Sequence, residues 1–136
     1  MIIIKVLIVD DDQTTSLALS NIAQDYDCEG ILQCSYSKFI SDKYWLDLRD
    51  IDILIITPPI PFDSRLISEF NGKIIAISDV SDKKTIVQAY LSGAEYFITK
   101  PINQFEVMEI IKKSVELIKL EKCMYNIKKE LNLVET

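Results

Sequence analysis

The chain has no histidine, only three glycines and four prolines in 136 residues, and three cysteines, Cys28, Cys34 and Cys123, without CxxC spacing. Without imidazole, and with thiols so scattered, neither a zinc site nor a disulfide framework is expected, and the cysteines read as reduced. Basic residues are outnumbered 15 to 21, a net charge of −6 that repels phosphate backbones and anionic lipid. Neither nucleic acid nor a membrane is therefore expected as a partner. No apolar run is long enough for a membrane span. The opening stretch Ile2–Val9 is short, is broken by Lys5 and lacks the small-residue cleavage pattern of a leader, so a cytoplasmic protein is expected. No linker, repeat or low-complexity segment divides the chain. A composition of 49% hydrophobic and 26% charged residues suits one compact domain. One further absence matters most: the apolar run Ile51–Ile56 stops at Thr57, where an acid would match the triplet Asp10, Asp11, Asp12 that ends the first run.

What is present alternates. Ile3–Val9, Ile51–Ile56, Lys73–Ile77, Tyr96–Thr99 and, less clearly, Gly30–Cys34 are apolar on both parities, as strands buried on both faces of a parallel sheet are. Between them the period lengthens. Leu17, Leu19, Ile22 and Ala23 space as one helix face, and so do Phe39, Ile40 and, more loosely, Tyr44, Trp45 and Leu48. Leu66, Ile67 and Phe70 mark a third helix; Ile86, Val87, Tyr90 and Leu91 mark a fourth, with N-cap chemistry at Ser81 and Asp82 and a stop at Gly93. Five strand–helix alternations with short connections predict an α/β fold, a doubly wound, three-layer parallel sheet of five strands with right-handed crossovers.

Function in such sheets gathers at the carboxyl ends of the strands. That rule selects Asp10–Asp12, Thr57 with Pro58 and Pro59, Ser78 with Asp79, and Lys100 with Pro101. A nucleotide fold would place glycines after the first strand to cradle phosphate, whereas this chain places carboxylates. Clustered carboxylates suit a hard cation such as Mg²⁺, and a lysine on a neighbouring strand end suits the carboxylates or an anion beside the metal. Asp12 alone reads as an N-cap before Gln13; Asp10 and Asp11 read as a site.

These residues resemble the receiver domain of bacterial two-component response regulators, in cover from Lys5 to about Lys119. KVLIVDDD is similar to the first strand and acidic pair, IDILIITPPIP to the third strand and its loop, IIAIS to the fourth strand with its switch hydroxyl, and GAEYFITKPIN to the fifth strand with the lysine–proline pair. The resemblance implies a flavodoxin-like strand order 2-1-3-4-5, that Thr57 stands where the phosphoacceptor aspartate does, that Ser78 and Phe97 match the switch hydroxyl and aromatic, and that Lys100 matches the site lysine. An un-ionised hydroxyl without a base does not attack phosphorus as a carboxylate beside Mg²⁺ does. Pro58 supplies no N–H where the family donates one to the phosphoryl oxygens, and Asp79 adds negative charge nearby. Thr57 is expected to satisfy its hydroxyl locally, Ser78 to bond a main-chain group, and Lys100 to face Asp10 and Asp11 as an ion pair. Metal binding is expected to be weak or vestigial, on Asp10, Asp11 and the Pro59 carbonyl, with no cofactor required and no catalytic residue.

Receiver-like sequence thus occupies residues 1–119, and 120–136 extend the last helix. From Asn103 onward six lysines balance six glutamates, with no glycine or proline, so the excess negative charge belongs to residues 1–102. Ile110, Leu117, Met124 and Leu131, with Leu120, Ile127 and Val134, alternate three and four as a helix–helix seam does, interrupted by Lys113. A homodimer through this helix, or through the family's face of fourth helix, fifth strand and fifth helix, is expected. In a parallel pair Glu116 would face Glu121, and Glu130 would face Glu135. Folding back onto the body, or leading into an output domain, are the other uses of the stripe. The function expected is a phosphorylation-independent protein-interaction module of a signalling pathway; a conventional phosphoacceptor on another acid such as Asp11, and a flavodoxin-like ligand binder, are the rivals.

Overall fold

The computed structural model describes residues 2–41, 48–61 and 70–132. In chain order the elements are β1 (Val6–Val9), α1 (Gln13–Asp25), β2 (Leu32–Cys34), α2 (Tyr36–Ser41), a 3₁₀ turn (Leu48–Asp50), β3 (Ile53–Ile56), β4 (Lys73–Ser78), α3 (Lys83–Leu91), β5 (Ala94–Thr99) and α4 (Gln104–Glu130). The five strands form one sheet in the order β2-β1-β3-β4-β5, every neighbouring pair parallel. The expected third helix, with Leu66 and Ile67, lies outside the described residues, as do Tyr44, Trp45 and Val134.

Strands read as continuous apolar runs because each side of the sheet is covered. Val6 and Ile8 of β1, with Ile53 and Ile55 of β3, face the core shared with α1 and α4. Leu7 and Val9, with Leu54 and Ile56, face the opposite core, which holds Phe39 of α2 and Ala89 of α3. All eight side chains are buried, each worth about 1.5–3 kcal/mol relative to exposure. Strand ends differ modestly from expectation. Ile4 makes only an isolated bridge to Cys28, and the Ile51 N–H closes the 3₁₀ turn on the Leu48 carbonyl at 3.1 Å, so β1 and β3 start late. β5 starts early, at Ala94, after Gly93 turns the chain at φ +106°. Before β4, a Cβ on Gly72 would stand 2.3 Å from the Asp52 carbonyl oxygen, so only glycine fits there.

Helix faces required more correction. Leu17 is 59% exposed, and the inward stripe of α1 is Ser16, Leu19, Ser20, Ile22 and Ala23. Leu17 lies two residues from Leu19, about 200° round the helix, so it cannot share that face; serines complete it. In α2 Phe39 is buried while Ile40 is exposed. The face expected for the fourth helix is also reversed: in α3 Ala89 is buried, whereas Val87, Tyr90 and Leu91 are exposed. Caps behave as their side chains dictate. Asp12 accepts from Thr14 and Thr15 N–H at 3.0 and 3.4 Å, Asp82 from Thr85 N–H at 2.7 Å, and Asn103 from Glu106 N–H at 3.1 Å.

α4 runs 27 residues, about 40 Å at ~1.5 Å per residue. Val107, Ile111, Ser114, Val115 and Ile118 bury its inner face. Further along, polar contacts hold it: Lys119 to Asp27 at 3.2 Å, Lys73 to Glu121 at 3.0 Å, and Lys122 to Asp52 at 2.9 Å and to the Ile3 carbonyl at 2.9 Å. Among the described residues no helix is long and apolar enough to cross a membrane.

Candidate functional site at the carboxyl ends of the strands

The sheet register sets the site. Val9 pairs with Cys34 on one side and Ile56 on the other, and Ser78 pairs with Thr99, so the residues following β1, β3, β4 and β5 emerge along one rim. Main-chain bonds continue the ladder past the strand ends: Asp10 N–H to the Cys34 carbonyl at 3.1 Å, Thr57 N–H to that of Val9 at 3.1 Å, and Lys100 N–H to that of Ser78 at 2.8 Å.

Asp10 is only 7% exposed, and its Oδ2 is buried without a hydrogen bond among the described residues. Its Oδ1 accepts from the Asp12 N–H at 2.9 Å and from Lys100 Nζ at 2.9 Å; its Oδ2 has the same ammonium at 2.7 Å, an ionic rather than a directional contact. Asp11, expected to share Lys100, turns away from it instead: its Oδ1 accepts from the Tyr36 N–H at 2.9 Å. The Tyr36 hydroxyl in turn donates to the Pro59 carbonyl. Asp12 caps α1, and its hydrogen bonds from the Thr15 hydroxyl and N–H hold its carboxyl below the ordinary 3.8.

At the end of β3, Thr57 departs from expectation. Its Oγ1 is buried and finds no hydrogen-bond partner among the described residues, so the hydroxyl is not locally satisfied. A buried, unpaired hydroxyl is costly, by about 1–3 kcal/mol. No base among the described residues hydrogen-bonds it either. Ser78 is buried and accepts from the Val80 N–H at 3.0 Å, while Asp79 is exposed. Phe97 is half-buried against the core that holds Leu7 and Ile56.

Tyr36 is the participant that the sequence reading missed. It follows β2 by two residues, so the same strand-end rule that selected the other loops would have found it, had the weak β2 been given equal standing. Burial raises the phenol above its ordinary value, which keeps the hydroxyl protonated and donating. The Cys34 thiol nearby is raised by burial too, and the buried Cys28 thiol is pushed up to about 11 by desolvation, so neither is a ready nucleophile.

A divalent ion is poorly served by these donors. Asp10 is engaged with Lys100 and Asp12, the Pro59 carbonyl with Tyr36, and one Asp11 oxygen with the Tyr36 amide. Among the described residues no three side chains of Asp, Glu, Cys or His converge as ligands. The residues present therefore do not fit the Mg²⁺ site that the resemblance implies.

No protein-family model matches the chain. Over 123 residues, 86% of its length, it is 32% identical to the transcriptional regulatory protein GlnL of Bacillus subtilis, of which it spans 39%. Over 118 residues, 83% of its length, it is 28% identical to the chemotaxis protein CheY of Listeria monocytogenes and spans 99% of that protein. The crystal structure of the N-terminal domain of an uncharacterized protein from Wolinella succinogenes superposes at a TM-score of 0.68 with 26% identity, covering 88% of this chain and 98% of that one. A response regulator from Thermotoga maritima superposes at 0.59 with 23% identity, covering 85% and 99%, and shares the fold. Taken with the strand order, these similarities strongly support a response-regulator receiver domain of the CheY-like kind.

Proposed function

We propose that this receiver domain signals through protein contacts without accepting phosphate. The observation that supports the reading is Thr57, an alcohol at the end of β3 whose hydroxyl is buried and has no hydrogen bond to a base among the described residues, beside an Asp10 carboxylate already neutralised by Lys100. An in-line attack on phosphorus needs an ionised oxygen next to a charge-neutralising cation, and neither is provided at that position. A shift between two conformations must then come from a ligand that binds them unequally, here another protein.

The partners we propose are a protein of a signalling pathway and a second copy of the chain, in the cytoplasm. Two apolar surfaces suit them. One is the outer stripe of α4, where Leu117, Leu120, Met124, Ile127 and Leu131 are exposed; the other carries Val87, Tyr90 and Leu91 of α3 with Phe105 at the start of α4. A second reading draws on Asp11, which is exposed and has one oxygen without a hydrogen bond: a Mg²⁺-dependent phosphoacceptor on that acid. Incubation with acetyl phosphate and Mg²⁺, followed by intact mass, separates them. No adduct is expected. A stoichiometric, hydrolysable increment of one phosphoryl group, absent from Asp11→Asn, would establish the second reading in place of the first.

A further inference from the structure

We propose that Tyr36 is a cation-excluding residue, its main-chain N–H and its hydroxyl engaging one Asp11 oxygen and the Pro59 carbonyl, two of the oxygens that a metal ion at this rim could use. The inference deepens, and rests on, the phosphate-independent reading of the same site. A divalent ion here could draw on the Asp11 carboxylate after β1 and the Pro59 carbonyl after β3. Tyr36, arriving from the end of β2, engages both at once: its N–H donates to Asp11 Oδ1 at 2.9 Å, and its hydroxyl donates to the Pro59 carbonyl. In each bond the positive end of a dipole points at an oxygen that would otherwise face a cation. Lys100 does the same for Asp10 with a full charge, at 2.7 Å.

Tyr36 and Lys100 thus engage from within acceptors that Mg²⁺ would engage from without. Mg²⁺ loses its own waters reluctantly and demands a near-octahedral shell, so it competes poorly against donors that are already covalently in place. Displacing them has a structural cost as well. Tyr36 is the first residue of α2, whose Phe39 is anchored in the core, so the ring cannot leave without disturbing that packing.

The variant Tyr36→Phe removes one oxygen and leaves the ring in place. Amide ¹H–¹⁵N shifts of Asp11, Tyr36 and Thr57 would be followed through a Mg²⁺ titration of the whole chain, with isothermal calorimetry alongside. The wild type should give small, non-saturating shifts, and Tyr36→Phe should saturate with an affinity at least tenfold higher. The double variant Tyr36→Phe/Asp11→Asn should lose that gain. Tyr36→Leu is the parallel variant should the phenylalanine form be unstable, and it should show the same gain. Coinciding Mg²⁺ curves for wild type and the Tyr36 variants would overturn the proposal, as would saturable binding by the wild type at the variants' affinity. A phosphoryl adduct on the wild type would instead strike the reading beneath it, so the two failures are told apart.

Discussion

Lys100 reaches Asp10 across 90 residues of sequence, with 16% of its side chain and 4% of that of Asp10 exposed to solvent. Removing one partner from so enclosed a pair leaves an uncompensated charge. Lys100→Met is expected to lower the free energy of unfolding in urea by about 3 kcal/mol, and Lys100→Met/Asp10→Asn to regain most of it. An equal loss in single and double variants would show that packing of the lysine stem, not charge, is what matters. This pair was legible from strand ends alone, because parallel strands in register bring the residues after β1 and β5 to one rim. Thr57 and Asp11 were not equally legible. Whether a hydroxyl finds an acceptor, or a carboxylate swings toward Tyr36 instead of Lys100, depends on loop paths of an ångström or two that no periodicity encodes.

Helix starts carry the acid sensitivity that can be assigned to single groups. Asp12 and Asp82 have carboxyls held below the ordinary 3.8, chiefly by side-chain hydrogen bonds to Thr15 and Thr85 respectively. Because the folded values lie under the unfolded ones, this stabilisation is complete above the unfolded value and disappears as pH falls through the folded value. Replacing both by asparagine, which caps without ionising, should flatten the fall in melting temperature between pH 5 and pH 3 and should narrow the gap to wild type at the acid end. An unchanged slope would assign the acid sensitivity elsewhere. At this scale the strands were easy to read, since burial on both faces leaves a run with no polar parity. The helices were harder: apolar content located α1 and α3, but Ser16 and Ser20 replace Leu17 on one inner face, and α3 turns most of its apolar residues outward.

For the molecule as a whole, the exposed stripe of α4 is the surface most in need of a partner. Five large apolar side chains from Leu117 to Leu131 lie at 42–62% exposure, beyond or beside the part of the helix that the sheet covers. In a parallel pair with a second copy Glu116 would oppose Glu121, which disfavours that arrangement. On the proposed homodimer, the wild type should sediment as a dimer and Met124→Lys/Ile127→Lys as a monomer, with unfolding stability of the body changed by less than about 0.5 kcal/mol. A monomeric wild type would remove the dimer. The seam's spacing was legible before any coordinates, while the clamps beneath it were not, because ion pairs between distant segments leave no local pattern. One of those clamps reaches further than α4 itself. Asp52 holds Lys122 with one oxygen and the main-chain N–H of Lys5 with the other, just ahead of both β3 and β1. A partner gripping the far end of the helix would load Asp52 together with the Asp27 and Lys73 clamps, and through Asp52 would pull at the entry to the two strands whose other ends carry Asp10 and Thr57.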